Sequence, residues 1–599
     1  MKSKTLVLSH IPDDISARHK DLRGRSRIDG GETFYSTATA ALIDYSTYER
    51  LYVLDNTRQS RYALDKAREL AGIPNRVVAL GPREAINLSP ADDIVLFTPT
   101  ESPALLLPFR RYMRLSRTPI IGFLHAASPN WILPRLCALL IERYEKQDAL
   151  ICASVASRHA AIEQLSVVHR NICSHNDQWL PAFQMPLIPN GVDCRSFAVQ
   201  DRGGARARFG IDTDEVVILY LGRFNMYGKS DLGPLAHVVA GVASDTGVKL
   251  RLVLAGADDG DLLRDNVTAY CDSAFSASSV LVVSNCDDSD KRLLYHSADI
   301  FVSPADGIAE SFGISIIEAM ASGLPIVASD WNGYRESVVH GETGFRVPTL
   351  WPDLGIAPEY LEAFGLPAVA SISIGTILDP DRLAYYLRLL VSDSELRRQM
   401  GNAGLLRAKR LFDWPAVVRQ YEQLFDECLA IGKQRPTPTS ATDLGIQSMF
   451  ATYPTRSLIE SDQVVITKSG HEWLRQPTPL GISYTIGENN PTAAAAVALR
   501  RFRIIDDELS ATIVSSLERG KPRLILDLVE EFSDTNQCPR WLVRLQIARL
   551  LKYRMIRIAA TPGLKGLGVD STDTLPVYGQ HSPASHAQTG RPVCGKHGL

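Results

Sequence analysis

Short runs of apolar and β-branched residues alternate with helical apolar spacing along most of the chain, and this rhythm occurs twice. The first series covers Thr5 to Leu8, Leu51 to Leu54, Val77 to Leu80, Ile94 to Phe97, Pro119 to Phe123 and Ala149 to Ser154. The second covers Val216 to Leu221, Leu250 to Leu254, Ser279 to Val283, Ile300 to Ser303, Ile326 to Ala328 and Gly344 to Val347. Buried parallel strands have this pattern, so the sequence predicts two doubly wound α/β domains. Because ligands bind at the carboxyl ends of such strands, we expect a two-substrate site in the cleft between the domains.

Breaks in the pattern divide the chain into five predicted parts. The turn Pro189-Asn-Gly-Val-Asp193 separates the two series and suits a hinge, because Asn-Gly favours turns. The parts are an α/β domain at 1–188, a second at 189–431 that ends in helices, a linker at 432–444, an accessory unit at 445–560 and a disordered tail at 561–599. The linker and the tail are predicted from composition. The linker is rich in Pro and Thr, and the tail is rich in Gly, Pro, Ser and His.

Composition and charge narrow the functional classes. The 599 residues carry a formal net charge of -3, so no overall basic field indicates a nucleic-acid partner. The N-terminus has no apolar core of a secretory signal, and no apolar run reaches the roughly 18 residues that span a bilayer. The nine cysteines contain no CxxC pair. These features favour a reducing, cytoplasmic compartment.

Two glutamates eight positions apart mark the candidate chemistry. The apolar run at 300–303 ends at a proline, and helical spacing resumes from Ile314 to Ser322. Glu310 is therefore predicted in a strand-to-helix loop, and Glu318 on the helix. The start of a helix presents free backbone N–H groups and a partial positive charge, which suit a diphosphate. Gly313 allows a ligand to approach the backbone closely.

The two carboxylates allow two interpretations. Glu318 can accept hydrogen bonds from ribose hydroxyls, while Glu310 can hold sugar hydroxyls or stabilise positive charge at an anomeric carbon. Alternatively, Glu310 is an acid favoured near a helix start and Glu318 belongs to a solvated helix face. The spacing of the two residues alone does not decide between these interpretations.

The surrounding sequence resembles glycosyltransferase family 4. The resemblance rests on the Glu-x7-Glu pair after a strand and a proline, on Glu318-Ala-Met-Ala-Ser-Gly-Leu-Pro-Ile-Val-Ala-Ser-Asp330 and on Gly341-Glu-Thr-Gly-Phe-Arg-Val347. It is strong and nearly gapless from about Val216 to Pro348, weaker over residues 1–200 and absent after about residue 430. It implies a retaining enzyme of GT-B fold, with two Rossmann-like domains, that uses a nucleoside-diphosphate sugar and needs no metal ion or other cofactor.

The resemblance also assigns roles within the second α/β domain, which would bind the donor. Glu318 would contact the ribose. The donor sugar and its phosphates would be contacted by the loop and the helix start, that is by Glu310, Ser311, Phe312, Gly313 and Ile314. Gly222 and Arg223 follow the strand run at 216–221, and Lys229 follows at a spacing about one residue longer than the family's. Both cations would neutralise charge that grows on the departing diphosphate; the alternative is ordinary surface charge after a strand.

The first α/β domain, which would bind the acceptor, supplies two further candidates. His125 follows the predicted strand at 119–123, and the family often has a histidine at the end of an equivalent strand, near the donor sugar. A lone histidine is otherwise a structural or surface residue. Gly30 and Gly31 precede a predicted helix and resemble the family's glycine-rich loop, which faces donor and acceptor. Glycine pairs are also common in ordinary turns.

Two acidic clusters permit a metal-site interpretation. They are Asp258-Asp259 and Asp287-Asp288-Ser-Asp290, and Asp-x-Asp holds a divalent ion in the other large glycosyltransferase fold. The second cluster follows a predicted strand and precedes a helical segment, so helix capping explains it. We therefore predict no metal site.

Two regions depart from the family's pattern. An insertion at 349–378 carries Trp351, Tyr360 and Phe364, and either covers the acceptor or packs on the surface. In the accessory unit, Ile525 to Phe532 and Trp541 to Leu551 predict two amphipathic helices, followed by a strand at Met555 to Ala559. This order resembles a winged-helix-like module. The second helix is basic, with Arg540, Arg544, Arg549 and Lys552. It suits nucleic-acid reading or, as we favour for this slightly acidic chain, a docking or structural module.

The sequence thus predicts transfer of a hexose from a UDP- or GDP-sugar to a hydroxyl acceptor, in glycan or glycoconjugate biosynthesis. The acceptor is a glycan, a lipid-linked molecule or a protein, and the enzyme is cytoplasmic, with peripheral association with the inner face of the membrane left open. We expect no nucleic-acid partner, while partner docking through 445–560 stays open. The alternatives are a non-catalytic regulatory protein that binds nucleotide sugars and a nucleotide-sugar epimerase of the same fold.

Overall fold

The computed structural model describes residues 4–9, 19–20, 26–27, 30–54, 77–80, 85, 88, 93–100, 103, 106–125, 129–141, 144–173, 181–198, 201–225, 228–257, 280–351, 373, 375–434, 459–476, 504–518, 520–535 and 538–559. The chain forms two compact units, one of 1–457 with 483–505 and one of 458–482 with 506–599. Several predictions fall outside the described residues: the linker after residue 434, the tail at 561–599, the Asp258-Asp259 pair, and Tyr360 and Phe364 of the insertion.

The first α/β domain contains a six-stranded parallel sheet. Its strands in chain order are β1 (Lys4–Leu8), β2 (His19–Lys20), β3 (Ser26–Arg27), β4 (Arg50–Leu54), β5 (Val77–Leu80), β6 (Asp93–Phe97), β7 (Ile120–Leu124) and β8 (Ala149–Cys152). The sheet has the order β5-β4-β1-β6-β7-β8, while β2 and β3 form a separate antiparallel pair. Every residue of β7 and β8 is buried, as expected for apolar runs in a sheet covered on both faces.

Four described helices belong to this domain: α1 (Gly30–Tyr45), α2 (Leu106–Tyr112), α3 (Pro129–Ile141) and α4 (Val155–Cys173). α1 buries Phe34, Ala38 and Leu42, which are spaced four residues apart and therefore share one helix face. Among the described residues, no helix is long and apolar enough to cross a membrane.

The second α/β domain repeats this architecture. Its strands are β9 (Val216–Leu221), β10 (Leu250–Gly256), β11 (Val280–Ser284), β12 (Ile300–Ser303), β13 (Ile326–Ser329) and β14 (Gly344–Val347). They are parallel in the order β11-β10-β9-β12-β13-β14. The described helices are α5 (Arg202–Arg208), α6 (Gly233–Thr246), α7 (Asp288–Ser297), α8 (Ile314–Ala321) and α9 (Tyr334–Ser337).

After β14 the chain forms a short ribbon and three closing helices. The ribbon pairs β15 (Thr349–Leu350) with β16 (Ile377–Leu378) in antiparallel fashion, at the two ends of the predicted insertion. The helices are α10 (Pro380–Ser392), α11 (Ser394–Leu411) and α12 (Trp414–Lys433). α12 returns to the first domain, where the rings of Tyr421 and Phe425 lie 5.8 and 5.7 Å from that of Phe97. The closing helix therefore ties the two α/β domains together.

The second unit is a small α+β module. Its elements are β17 (Gln463–Ile466), α13 (Lys468–Arg475), α14 (Asp507–Ser516), β18 (Arg523–Leu524), α15 (Ile525–Thr535), α16 (Arg540–Lys552) and β19 (Ile556–Ile558). The strands form an antiparallel sheet in the order β18-β17-β19. α15 and α16 bury their apolar positions, including Leu528, Val529, Leu542 and Ile547.

The predicted fold class is confirmed. Two parallel six-stranded α/β sheets correspond to the two predicted strand series, and a small antiparallel sheet with helices follows them. The helix, helix and strand predicted for the accessory unit are α15, α16 and β19. The twelve strands of the two parallel sheets differ from the predicted runs by no more than two residues at either end, as is usual for element boundaries, whereas β2, β3 and β15 to β18 were not predicted.

Candidate active site

The carboxyl ends of neighbouring strands bring the candidate residues of the second domain together. β9 ends at Leu221 and leads to Gly222 and Arg223, while β12 ends at Ser303 and leads into the loop that carries Glu310. β9 and β12 are adjacent, at the point where the strand order of the sheet reverses. Ligands of doubly wound sheets bind outside the strand ends at this point. The fold therefore places a cation and a carboxylate where a ligand is expected.

Glu310 forms a partly buried ion pair with Lys229. The Lys229 ammonium donates to Glu310 Oε2, and the backbone N–H of the buried Phe312 donates to Oε1 at 3.4 Å. Burial acts to raise the pKa of Glu310, but the charge and hydrogen bond of Lys229, together with Arg223, lower this pKa below its usual value. Glu310 is therefore ionised at neutral pH. The structure also brings Lys229 into the site despite its longer spacing from Arg223.

The loop after Glu310 leads into the start of α8. Gly313 precedes the first helical residue, Ile314, and has φ 84° and ψ 67°, in the left-handed region. A Cβ at this position would lie 2.3 Å from Cε1 of the buried Tyr334 ring, so only glycine fits without rearrangement. Among the described residues, no side chain caps α8. Its first backbone N–H groups can therefore bind an anion.

Glu318, the fifth residue of α8, is 4% exposed, so the solvated-face interpretation is wrong for this residue. Its Oε1 accepts a hydrogen bond from the Lys291 ammonium, and its Oε2 accepts one from the Tyr295 hydroxyl at 2.8 Å. The Lys291 ammonium also lies 5.6 Å from the centre of the Phe197 ring. Each carboxylate oxygen has two lone pairs, so Glu318 keeps acceptor capacity for ligand hydroxyls.

Hydrogen bonds cross the cleft between the two α/β domains. The Ser311 hydroxyl donates to the backbone carbonyl of His125. Asn332 Nδ2 donates to the Glu310 carbonyl at 2.9 Å, and Asn332 Oδ1 accepts from the Ser154 hydroxyl at 2.6 Å. The first domain thus contacts the Glu310 loop at His125 directly and at Ser154 through Asn332.

Gly30 and Gly31 are the first two residues of α1, so the helix begins two residues earlier than we expected and the glycines do not form a separate loop. The physical reason lies one turn further on. The buried Phe34 ring lies 4.2 Å from that of Phe123 and 5.8 Å from that of His125. This packing fixes the helix start close to the strand end that carries His125.

Sequence reasoning missed three residues of the site: Lys291, Tyr295 and Asn332. Lys291 and Tyr295 lie on α7, more than twenty positions before Glu318 in the sequence, and no local pattern relates them to it. The turn at Asn332 could have been predicted from the sequence, because Asn-Gly after a strand indicates a turn. Its φ is 38°, a conformation that asparagine tolerates better than most residues.

Asp306 is a second buried acid in the loop after β12. Its Oδ2 accepts from the backbone N–H of Asp231 at 3.3 Å, and its own N–H donates to the Lys229 carbonyl at 3.4 Å. Among the described residues, its Oδ1 has no hydrogen-bond partner. Burial raises the pKa of Asp306 to about 7. Asp306 therefore links the Lys229 segment to the end of β12 with a carboxyl group that titrates near neutral pH.

The raised pKa of Asp306 predicts a pH-dependent stability. Between the usual pKa of 3.8 and the folded value of about 7, the folded protein holds a proton that the unfolded chain has released. The contribution of Asp306 to stability therefore falls as the pH rises through this window. Relative to Asp306→Asn, we expect the wild-type free energy of unfolding to fall by about 1.4 kcal/mol per pH unit. Urea unfolding of both proteins at pH 5, 6 and 7 measures this difference, and parallel pH profiles would contradict it.

The metal-site interpretation has no support in the described part of the chain. Asp287 caps α7, because its side chain accepts a hydrogen bond from the Asp290 N–H at 2.7 Å. This contact confirms the capping prediction for the second acidic cluster. Among the residues that the structure describes, no group of three or more His, Cys, Asp and Glu side chains could hold a metal ion.

Three of the four cations of α16 form ion pairs within the second unit. The pairs are Arg540–Glu530, Arg544–Glu460 and Arg549–Asp507. Nucleic-acid affinity depends on cations that neutralise backbone phosphates. Pairing of these cations with acids of the same unit favours a docking or structural module over a nucleic-acid reader.

Two doubly wound domains that meet across a cleft, with an anion-binding helix start at the strand ends of the second, define a GT-B architecture. Residues 201–354 match the family described as "Glycosyl transferases group 1". The match covers 154 of the 599 residues. The matched segment contains the whole second sheet and the site residues from Gly222 to Glu318.

Named relatives match part of the chain. A phosphatidyl-myo-inositol mannosyltransferase of Mycobacterium tuberculosis (strain ATCC 25618 / H37Rv) is 29% identical over 248 residues, which are 41% of this chain and 54% of the relative. A D-inositol 3-phosphate glycosyltransferase of Segniliparus rotundus is 30% identical over 195 residues, 31% of this chain and 42% of the relative. The chain thus spans about half the length of the curated relatives it matches.

Solved structures are similar over a longer stretch. Sucrose-phosphate synthase from Thermosynechococcus elongatus is 18% identical with a TM-score of 0.47, over 72% of this chain and 100% of the other. The Anabaena protein Alr3699/HepE in complex with UDP-glucose is 17% identical with a TM-score of 0.46, over 71% of this chain and 99% of the other.

Proposed function

We propose that the protein is a retaining glycosyltransferase that moves a hexose from a nucleoside-diphosphate sugar to a hydroxyl group. The observation that carries this proposal is the ionised, partly buried Glu310, which is paired with Lys229, lies near Arg223 and precedes the start of α8. A diphosphate fits between the two cations and the helix N–H groups. The sugar attached to it would then lie beside Glu310 and face His125 of the first domain.

In the proposed reaction the acceptor hydroxyl oxygen forms a bond to the anomeric carbon. The bond from that carbon to the diphosphate oxygen breaks, and the proton of the hydroxyl passes to the departing diphosphate. Negative charge grows on the diphosphate, where Arg223, Lys229 and the α8 N–H groups stabilise it. Positive charge grows at the anomeric carbon, where Glu310 stabilises it. Since side chains supply this neutralisation, we propose transfer without a metal ion.

The two α/β domains have different proposed roles. The second domain binds the donor, with Glu318 on the ribose hydroxyls, and the first domain binds the acceptor. Both relatives named above are, by their names, transferases of sugar to inositol compounds, which supports a polyol or sugar hydroxyl as acceptor. A cytoplasmic location, with the acceptor presented at the membrane face or in solution, follows from a nucleotide-sugar donor.

A non-catalytic sugar-nucleotide binder is less well supported. Binding alone does not require a partly buried carboxylate kept ionised by two cations at the anomeric position, because removing such a charge from water is costly. The intact set of Glu310, Lys229 and Arg223 therefore favours catalysis.

A donor panel tests the proposed function. We expect one of the UDP-, GDP- or ADP-sugars to stabilise the full chain by about 2.7 kcal/mol at 100 times its dissociation constant, measured as a rise in melting temperature. Glu318→Ala should lose this stabilisation, since the ribose hydroxyls lose their acceptor. Consumption of the same sugar nucleotide, with release of the nucleoside diphosphate in the presence of EDTA, should accompany binding. No stabilisation by any of the three classes, and no turnover, would reject the proposal.

A further inference from the structure

Four neighbouring strand ends arrange side chains in a row along one edge of the second sheet. β9, β12, β13 and β14 are adjacent in this order. The residues that follow them are Arg223, Glu310, Trp331 and, after β15, Trp351. Neighbouring strands lie roughly 4.8 Å apart. The row therefore leads from the cation for the diphosphate, past the carboxylate for the sugar, to two tryptophans.

The direction of the Trp351 side chain follows from the residues before it. The Thr349 hydroxyl donates to the Asp330 carbonyl at 3.2 Å, so this side chain points to the loop after β13. Side chains alternate along an extended chain, so Trp351 points the same way. Its ring lies 5.8 Å from that of Trp331, at an angle of 38°. Leu350, which pairs with Ile377 in the ribbon, points to the opposite face.

Trp331 connects this aromatic pair to the loop that carries Glu310. The Trp331 indole N–H donates to the Gly307 carbonyl at 3.1 Å, and the same carbonyl accepts the backbone N–H of Glu310 at 3.1 Å. Trp331 is 9% exposed, whereas Trp351 is 57% exposed. One tryptophan is thus fixed in the wall of the site, and it supports a second whose ring is open to solvent.

We infer that Trp351, although it lies in the second domain, completes the acceptor site of the first domain as a stacking platform for a sugar ring of the acceptor. This inference rests on the proposed function and specifies its acceptor class as a carbohydrate. A pyranose has an apolar C–H face that packs on an aromatic ring, while its hydroxyls stay available for hydrogen bonds. Trp351 comes two strands beyond Glu310 in this row, so a sugar ring on Trp351 would lie on the same edge of the sheet as the donor sugar.

The position of the exposed aliphatic side chains favours a carbohydrate over a lipid as the ligand of Trp351. Leu350 and Ile377 are 61% and 51% exposed, but they lie on the other face of the ribbon from Trp351. A lipid surface would engage these two side chains. The face that looks to the loop after β13 instead offers an aromatic ring, the shape that suits a sugar.

Saturation-transfer NMR on the full chain tests the platform. The probes are the methyl glycosides of glucose, galactose and mannose, each added to protein loaded with the nucleoside diphosphate of the donor that stabilises it. We expect at least one glycoside to receive saturation at its ring protons in the wild type. Trp351→Ala should weaken that binding about tenfold, because the apolar contact is lost. Trp351→Phe should retain most of it, and Leu350→Ala, the neighbour on the other face, should match the wild type.

The outcomes distinguish this inference from the proposed function. Equal binding by the wild type and Trp351→Ala, no glycoside binding at all, or an equal loss in Leu350→Ala would each overturn the platform. Donor turnover by the wild type in the absence of acceptor is the separate readout of the proposed function. A wild type that neither binds nor consumes a sugar nucleotide overturns the proposed function, and the acceptor platform with it.

Discussion

Replacing Glu310 with glutamine is expected to slow sugar transfer by a factor on the order of 10²–10³, with the donor still bound. Glutamine keeps the size of the side chain but removes the negative charge beside the anomeric carbon. The Lys229 ammonium, which donates to the carboxylate in the wild type, would then face a neutral amide. The transition state loses its stabilisation, whereas the diphosphate contacts of Arg223 and the α8 N–H groups persist.

The ratio of kcat to KM for the donor, measured with wild type and Glu310→Gln, gives the size of this effect. Glu342→Gln is the matched control, because it makes the same chemical change at an exposed glutamate of the same domain. We expect the control to keep full activity and both variants to melt within a few degrees of the wild type. A Glu310→Gln enzyme with wild-type turnover would remove Glu310 from the mechanism.

Replacing Gly313 with alanine is the second large effect that we expect. Residue 313 has φ 84°, where a non-glycine residue costs roughly 1–2 kcal/mol. The new methyl group would also lie 2.3 Å from the ring of Tyr334, whose hydroxyl is hydrogen-bonded to that of Ser303 at 2.8 Å. Either the ring or the start of α8 must shift. Because the first N–H groups of α8 are proposed to bind the diphosphate, we expect donor affinity and transfer to fall by a factor of about 100.

Gly323 supplies a matched control at the other end of the same helix. It has φ 75°, but a Cβ at this position would meet nothing within 4 Å. Gly323→Ala therefore introduces the backbone strain without the collision and without touching the anion site. We expect it to lower stability slightly and to leave transfer unchanged. Equal donor affinity in Gly313→Ala and Gly323→Ala would show that the α8 start does not hold the diphosphate.

Local pattern was sufficient for the regular elements. The runs at 216–221 and 300–302 are apolar throughout, as is typical of strands covered on both faces, and both lie in strands of the second sheet. Helix capping was also predicted from the sequence, since Asp287 caps α7 as expected for the acidic cluster before that helix. The start of α1 was predicted less accurately. Phe34 packs against Phe123, and the helix begins at Gly30 despite the low helix propensity of glycine.

Contacts between distant parts of the sequence were not readable from local pattern. The path of α12 back to the first sheet depends on Tyr421 and Phe425 reaching Phe97, more than 300 positions earlier. The partners of Glu318 lie on a different helix, and Asn332 joins the Glu310 loop to a strand end of the other domain. Such contacts are decided by which surfaces meet once the sheets have formed, and spacing along the chain carries no record of them.

The sequence by itself determined the order of strands and helices, the strand-to-helix loop with Glu310 and the glycine at the start of α8. These features are local, since they depend on apolar periodicity, capping and backbone conformation within a few residues. Only the tertiary structure decided that Glu318 is buried against Lys291 and Tyr295, that Lys229 pairs with Glu310 and that Trp351 stacks on Trp331. Charges and rings acquire these partners when separate strand ends converge at one edge of the sheet, and their environment then sets their ionisation and exposure.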